Sequence, residues 1–392
     1  MAVASEPSPP AGPLAGLRVV MLAGMGPTPF TGMVLADLGC EVLRVIRPPT
    51  RPGRELAPTD GLHAQQDVVN RGVDSVAVDL KDPAGVEAVL GLSEVADAFV
   101  EGFRPGVVER LGLGPDVVMA RNRRIVYARL TGYGQTGPLA HQAGHDINYL
   151  AQSGVLFALA STGERPRPPI NLLGDYAGGG LVAALGIVSA MLVSRTRGVG
   201  QVIDAAMIDG VSLLTAKLQG LRAAGLFSDE PGTNWLDSGA PFYDTYRCAD
   251  GNYIAVGALE PDFYAQFVSR LGEDSDGWPR QDDRESWPLL RECIAQAVGR
   301  RTRDEWVEVF AGSDVCVSPV LTFDEAAAHS HNVARGLYTR IEGVLHPAPA
   351  PRFGVTATTG PSAPGTVPLT VGAVLAKWIA PPAGCNSHER TP

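Results

Sequence analysis

Two segments of this chain carry residue types suited to moving a proton. One is QAGHDINYL, with His145 and Asp146; the other is LLGDYAGGG, with Asp175. Each is introduced by glycine and leads into an apolar run of helical character. A helix N-terminus offers free backbone N–H groups and the positive end of a dipole, so it can hold an oxyanion. An imidazole and a carboxylate at such places can exchange the roles of base and acid, which makes enolate chemistry the first hypothesis. The residues alone leave other readings open. Asp175 would also serve as a plain N-cap, and His145 as a hydrogen-bonded structural histidine. Asp146 is read as structural.

Composition narrows the setting. A chain of 392 residues with 45% hydrophobic and 19% charged residues can bury a large core and divide into two or three domains. A net charge of −10 argues against a nucleic-acid or anionic-membrane binder, so any anionic ligand must meet a local basic patch. Apart from Lys81, Lys217 and Lys377 the basic residues are arginines, which suit bidentate phosphate contacts. Cys40, Cys248, Cys293, Cys316 and Cys385 are scattered without a CxxC pair. Neither a disulfide scaffold nor a zinc framework follows, and a reducing cytoplasm is the expected setting. The seven histidines show no ligand spacing, so no metal is expected. The run Tyr176–Val193 is apolar and uncharged, but it stands alone and is rich in glycine and alanine; it reads as a buried helix of an α/β core.

The elements that must position these residues alternate at first. Strands are expected at Leu17–Leu22, Glu41–Ile46, Ser75–Leu80, Ala98–Glu101 and Ile125–Leu130. GMGPTPF reads as a turn before a helix at Thr31–Leu38, and Asp82–Pro83 opens a helix running to about Val95. Such alternation implies a parallel sheet with crossover helices, a Rossmann-like domain. Longer helices are expected around Ile147–Phe157, Tyr176–Arg195 and Ala205–Gly225. From about Pro241 the texture changes to a hairpin around Ala249-Asp250-Gly251, then helices at Pro261–Leu271, Trp287–Val298 and Arg303–Ala311. A strand at Cys316–Leu321 and a helix at Phe323–Ala328 complete a smaller α/β domain. The proline-rich stretch from Pro347 reads as an extended arm, followed by a helix at Leu369–Ile379. The expected division is a disordered lead-in over 1–15, a large domain over 16–225, a linker and small domain over 226–335, a C-terminal segment over 336–380 and a disordered tail over 381–392.

Gly24-Met25-Gly26 follows a strand, but Pro29 stands where a dinucleotide fingerprint needs its third glycine. The second strand then ends in Arg47 rather than in the acidic residue that would bind a ribose. An arginine there suits a ligand with phosphate near its ribose, such as coenzyme A.

In order along the chain, LAGLRVVMLAGMGPTPFTGMVLADLGCEVLRV, NRGVDSVAVDLKDPAG, EGFRPGVVERLGLGP, ARLTGYGQTGP, AGHDINYLAQSG, GDYAGGG, GQVIDAAMIDG, PFYDTYRCADGNYIAVGALEP and PAPRFG resemble the α-methylacyl-CoA racemases of the family III CoA-transferase superfamily. The resemblance covers nearly the whole chain. It implies two α/β domains, with the C-terminal segment returning to the large one. It also implies an interlocked homodimer with active sites between the large domain of one subunit and the small domain of the other. Carried over by position, His145 and Asp175 match the catalytic pair. Glu260, in GALEP, matches an acidic residue that approaches from the partner subunit and supports the histidine. Arg47, Arg104 and Arg110 fall where the family contacts coenzyme A. Without the resemblance, Glu260 would pass as a surface helix-start residue and Arg104 as a solvated charge.

The implied reaction inverts the α-carbon of a 2-methylacyl-CoA thioester through an enolate. His145 and Asp175 act from opposite faces, and backbone N–H groups at Asp175 and beyond, opened by Gly178-Gly179-Gly180, receive the charge. Coenzyme A enters as part of the substrate, and no separate cofactor is expected. A helix start lowers the pKa of Asp175 and desolvation raises it; the sequence leaves the balance open. Two further classes stay in view: a CoA-transferase with Asp175 as nucleophile, and a non-catalytic acyl-CoA-binding dimer. The chain departs from the family pattern at Met21, where an acidic residue is usual. It departs again at Val73-Asp74, where a basic pair is common and an acid would stand near the cofactor.

Overall fold

Strands whose residues are apolar on both faces need cover on both sides, and this requirement organises the larger part of the molecule. The computed structural model describes residues 12–48, 62, 66–272, 277–358, 362–363, 365 and 367–380. The lead-in before residue 12 and the tail from residue 381 lie outside the described residues.

Six strands form one sheet: β1 (Arg18–Leu22), β2 (Glu41–Ile46), β3 (Val73–Ala77), β4 (Ala98–Glu101), β5 (Val126–Thr131) and β6 (Gln201–Ala206). Their order is β3-β2-β1-β4-β5-β6 and every pairing is parallel. This is the doubly wound order, whose direction reverses between β1 and β4. Alternate residues feed two cores. Val20, Leu22, Leu43, Val45, Phe99 and Tyr127 meet Val89, Leu90 and Leu92 of the helix Pro83–Glu94, with Val374 and Trp378 of the helix Val371–Ile379. Val19, Met21, Val42, Ala98, Val126 and Ala128 face Leu35 of the helix Pro27–Asp37 and Ile187 and Met191 of the helix Val182–Arg197. Each such fully buried aliphatic side chain contributes roughly 1.5–3 kcal/mol. The C-terminal segment thus joins this unit. Leu369 donates its N–H to the Ser75 carbonyl at 2.7 Å, and Lys377 pairs with Glu41 at 2.6 Å.

The chain divides into two compact units. The first runs to Leu150, resumes over Ile170–Leu214 and again from Gly336; the second comprises Ala151–Pro169 and Thr215–Arg335. Residues 151–169 and 215–225, within the span expected for the large domain, therefore cluster with the second unit. That unit holds an antiparallel sheet of β7 (Tyr243–Arg247), β8 (Tyr253–Gly257) and β9 (Val317–Pro319) in that order. Phe242, Ile254, Phe267, Trp287, Ile294 and Trp306 fill its core. Its helices Arg303–Phe310 and Phe323–Ala328 are each opened by a threonine–glutamate capping box.

Several elements differ from expectation for identifiable reasons. The helix after β1 begins at Pro27, inside the expected turn, because proline is tolerated in a helix's first turn. The run Ile147–Phe157 is interrupted by Gly154 at φ 83°, leaving helices Asp146–Gln152 and Val155–Ala158. The run Ala205–Gly225 begins as the end of β6, the helices Met207–Leu214 and Ala216–Ala223 following. A second hairpin, β10 (Tyr338–Ile341) with β11 (Val344–Pro347), precedes the proline-rich arm.

Candidate active site

The loops that leave the C-terminal ends of β1, β4 and β5 gather around the point where strand order reverses, the place where open α/β sheets bind ligands. After β5, residues 132–144 close on the ring of Tyr149. A Cβ on Gly132 would lie 2.3 Å from that ring, and one on Gly144 2.7 Å from it. Tyr133 packs edge-on against the same ring at 5.0 Å. This packing delivers His145 to the start of the helix Asp146–Gln152. The His145 N–H donates to Asn148 Oδ1 at 3.0 Å, and its carbonyl accepts the Asn148 N–H at 2.8 Å. The residue is held by its backbone while its side chain is exposed.

Asp175 sits differently from the expected helix cap. It is the fourth residue of a π-helix, Leu172–Leu181, that continues into the α-helix Val182–Arg197. π-Helical turns are rare and concentrate at functional sites. The chain enters this one through Ile170 at φ 57°, a left-handed conformation costing a β-branched residue roughly 1–2 kcal/mol. The half-buried Asp175 carboxylate accepts the Asn171 side-chain N–H at 3.1 Å. Gly26, at φ 61° in the loop after β1, faces the same carboxylate: a Cβ there would lie 2.8 Å from Oδ2.

The expected oxyanion donors require correction. The Asp175 N–H donates to Asp146 Oδ2 at 2.8 Å and is not open to a ligand. Gly178, Gly179 and Gly180 are buried and serve close packing. A Cβ on Gly178 would lie 2.7 Å from Val211 N, one on Gly179 2.8 Å from Met207, and one on Gly180 2.6 Å from Phe30.

Electrostatics set Asp175 as a stronger base than an exposed aspartate. Burial pushes its carboxyl up, the Asn171 hydrogen bond opposes this, the neighbouring Asp146 charge adds to it, and His145 opposes it. The net direction is upward, with desolvation the largest cause. The same interactions place His145, Asp146 and Asp175 in one electrostatic neighbourhood, formed wholly within the first unit. Tyr149 is also pushed up, to about 12, by burial and by Tyr133, Asp175 and Asp146, with Arg104 opposing.

Arg47 is exposed just beyond β2, and Arg104 is exposed in the loop after β4. Arg110 closes the short helix Val107–Arg110, its guanidinium beside Gly106. Glu260 belongs to the second unit, exposed at the N-cap of the helix Pro261–Leu271 without a side-chain capping bond. The structure therefore unites His145 with Asp175 and gathers the three arginines on the same unit, while Glu260 lies on the other. Neither departure from the family pattern stands at the site. Met21 is buried against the helix Pro27–Asp37, whose Gly32 leaves it room. Asp74 pairs in register with Leu43, four residues before Arg47, which puts it about 13 Å down the sheet from the strand tips. Sequence reasoning missed Asn171 and understated Asp146. The i, i+4 spacing from Asn171 to Asp175 was the available signal for the first.

A cavity of about 350 Å³ lies within the second unit, between Phe157, Leu218 and Phe227; none of the six candidate residues lines it. Among the described residues no three His, Cys, Asp or Glu side chains gather as a metal site.

With this geometry in place, comparison with known proteins decides the family. The sequence profile of CoA-transferase family III matches residues 14–371. The chain belongs to that family. It is 45% identical over 341 residues to the alpha-methylacyl-CoA racemase of Homo sapiens, covering 86% of both chains. It is 30% identical over 356 residues to the acetyl-CoA:oxalate CoA-transferase of Acetobacter aceti, covering 88% of this chain and 90% of that one. The crystal structure of a CAIB/BAIF family protein from Brucella suis superposes with a TM-score of 0.79 at 25% identity, over 94% of this chain and all of the other.

Proposed function

We propose that this protein is an isomerase that inverts the α-carbon of 2-methylacyl-CoA thioesters by two-base proton transfer. The observation that carries this reading is the His145–Asp175 neighbourhood, in which burial raises the carboxyl into a more basic range. In one direction the Asp175 carboxylate takes the α-proton, the C–H electron pair passes into the enolate, and protonated His145 returns a proton to the opposite face. In the reverse direction neutral His145 is the base and the Asp175 carboxylic acid the donor. The Asp175 N–H is engaged by Asp146 and so does not receive the enolate oxygen. Arg47, Arg104 and Arg110 take the phosphates of coenzyme A, which enters with the substrate.

The human racemase at 45% identity supports this reading over a CoA-transferase, whose named relative is 30% identical. A transferase would use Asp175 alone as nucleophile and leave His145 without a task.

The active protein on this reading is a homodimer, with Glu260 supplied to His145 across the subunit boundary. The α-helix Val182–Arg197 buries Ala183, Ile187, Ala190 and Met191, yet leaves Leu185 and Leu192, with Leu181 before them, exposed. With the π-helix before it, this is, among the described residues, the one helical stretch long and apolar enough to cross a membrane. Its packing on the sheet, and the bond from Ser194 Oγ to the Arg124 carbonyl at 2.6 Å, favour a subunit contact for the exposed face. Cys40, Cys248, Cys293 and Cys316 are free, which fits a reducing compartment such as the cytoplasm.

The test is incubation with a single epimer of a 2-methylacyl-CoA in deuterated water, followed by NMR at the α-position. Deuterium incorporation with epimerisation is expected, and His145→Ala or Asp175→Ala should each slow it by roughly 10²–10⁴-fold. Transfer of coenzyme A to an added free acid without α-exchange would instead establish the transferase. Absence of both reactions across several acyl groups would leave a binding protein.

A further inference from the structure

One guanidinium grips both ends of the loop that carries two of the arginines assigned to coenzyme A. The loop leaves β4 after Glu101 and ends in the helix Val107–Arg110. Arg104 lies within the loop and Arg110 closes the helix. Arg129, on β5, is the register partner of Glu101. Its Nε donates to Glu101 Oε1 at 3.0 Å, before the loop. Its Nη2 forms an ion pair with Glu109 Oε1 at 2.8 Å, beyond the loop. The other oxygen of Glu101 accepts the Phe103 N–H at 2.7 Å, which fixes the loop's first turn. The loop has no slack on its inner side: a Cβ on Gly102 would lie 2.5 Å from Thr28 Oγ1 and 3.3 Å from the Leu130 carbonyl.

This arrangement is not what stability alone would select. The Glu101 side chain is fully buried and that of Arg129 is 10% exposed, so both charges have lost most of their hydration. A buried ion pair is often matched or exceeded in stability by apolar residues of similar volume. The surrounding residues of both strands, Ala98, Phe99, Val100, Val126, Tyr127 and Ala128, are themselves buried and apolar. What a buried guanidinium supplies and apolar packing does not is direction. Its Nε directs one hydrogen bond at Glu101, while its buried Nη2 holds Glu109 by charge, as an ion pair without hydrogen-bond alignment, and these two carboxylates bracket the loop.

We infer that Arg129, clamped between Glu101 and Glu109, is a positioning residue that sets Arg104 and Arg110 for the anionic part of coenzyme A and takes no part in proton transfer. The inference rests on the assignment of those two arginines to coenzyme A in the proposed function.

Arg129→Lys keeps the charge and loses the fork; Glu109→Gln removes the outer carboxylate, which is 42% exposed and so the gentler change to the fold. Two substrates separate positioning from folding: the 2-methylacyl-CoA, and the N-acetylcysteamine thioester of the same acid, which lacks every phosphate. Coenzyme A alone, titrated by calorimetry, gives a readout that needs no turnover. For Arg129→Lys, KM for the CoA thioester and Kd for coenzyme A should rise roughly tenfold, a typical effect of a misplaced binding group. The Glu109→Gln effect should be smaller, about threefold. In both variants kcat should stay within about twofold, and turnover of the truncated thioester should match the unaltered protein. In the Arg104→Ala background the added effect of Arg129→Lys should shrink, because both changes act through one contact. Equal losses on both thioesters, or a fall in kcat with KM unchanged, would assign Arg129 a purely structural role and overturn the inference. Unchanged coenzyme A affinity in Arg129→Lys would overturn it as well. If Arg104→Ala and Arg110→Ala themselves bind coenzyme A normally, it is the assignment of the arginines that fails, and the inference falls with it.

Discussion

The Asp146 carboxylate accepts the backbone N–H of Asp175 at 2.8 Å, so the residue beside one member of the candidate pair holds the backbone of the other. Asp146 is buried and lies against Gly174 so closely that a Cβ there would be 2.5 Å from its oxygen. It both orients the π-helix and adds negative charge near Asp175. Asp146→Ala leaves the Asp175 amide without an acceptor, which should cost about 1–3 kcal/mol of stability. Asp146→Asn retains an acceptor oxygen but removes the charge. Chemical denaturation of the two variants should rank alanine below asparagine. Equal stability would show that the bond orders nothing.

Asn171 and Asp146 pull Asp175 in opposite directions, and the sign of each effect can be measured. A folded-state pKa above the ordinary range means that Asp175 takes up its proton early as pH falls. The acid limb of kcat/KM should therefore lie above the usual aspartate value. Asn171→Ala removes the hydrogen bond that favours the carboxylate and should move this limb to higher pH. Asp146→Asn removes a raising influence and should move it to lower pH. Shifts of the same sign in a pH–rate series would show that these groups do not set the basicity of Asp175.

Gly26 meets two demands at once. Its φ of 61° is unfavourable for residues with a Cβ, and the space that a Cβ would take belongs to Asp175 Oδ2. Gly26→Ala should cost roughly 1–2 kcal/mol in stability through the backbone. It should also cost roughly 100-fold in kcat by displacing the carboxylate. Thermal unfolding with steady-state kinetics separates the two. Normal turnover in a destabilised protein would mean that the carboxylate has freedom to relax.

Much of the sheet was legible because its signals are local. The expected β2 and β4 coincide with the observed Glu41–Ile46 and Ala98–Glu101, and β1 begins one residue later than expected, all being short, largely apolar runs. β6 carries no such signal. Gln201, Val202 and Asp204 are exposed at the sheet edge, and the strand runs into the next helix with no residue to mark the change. The π-helix was hidden for another reason. Its glycines look like a flexible opening, and only the close approach of Gly210, the Met207 side chain and Pro27, brought from distant segments, shows that they are packing surfaces. The candidate pair could be named from residue type and setting. The Asp146 buttress could not, because a contact between residues 146 and 175 follows from tertiary structure alone.

Glu260 provides the sharpest test of the subunit arrangement, because it lies on a different compact unit from His145 and Asp175. If it serves the partner's histidine, two inactive proteins should repair one another. In a mixed dimer of His145→Ala with Glu260→Gln, one site receives both altered residues and the other receives neither. Random pairing at equal concentrations makes half of the dimers mixed, so about one quarter of the unaltered activity should return. Were each site built from one chain, every site in the mixed dimer would carry one alteration and nothing would return. The measurement is turnover after the two proteins are unfolded together and refolded, with sedimentation to confirm dimers. Leu185→Glu and Leu192→Glu, placed on the exposed apolar face of the helix Val182–Arg197, should abolish both the dimer and the recovery. Full activity in a monomer carrying those charges would return Glu260 to the surface role that its exposed, uncapped position otherwise suggests.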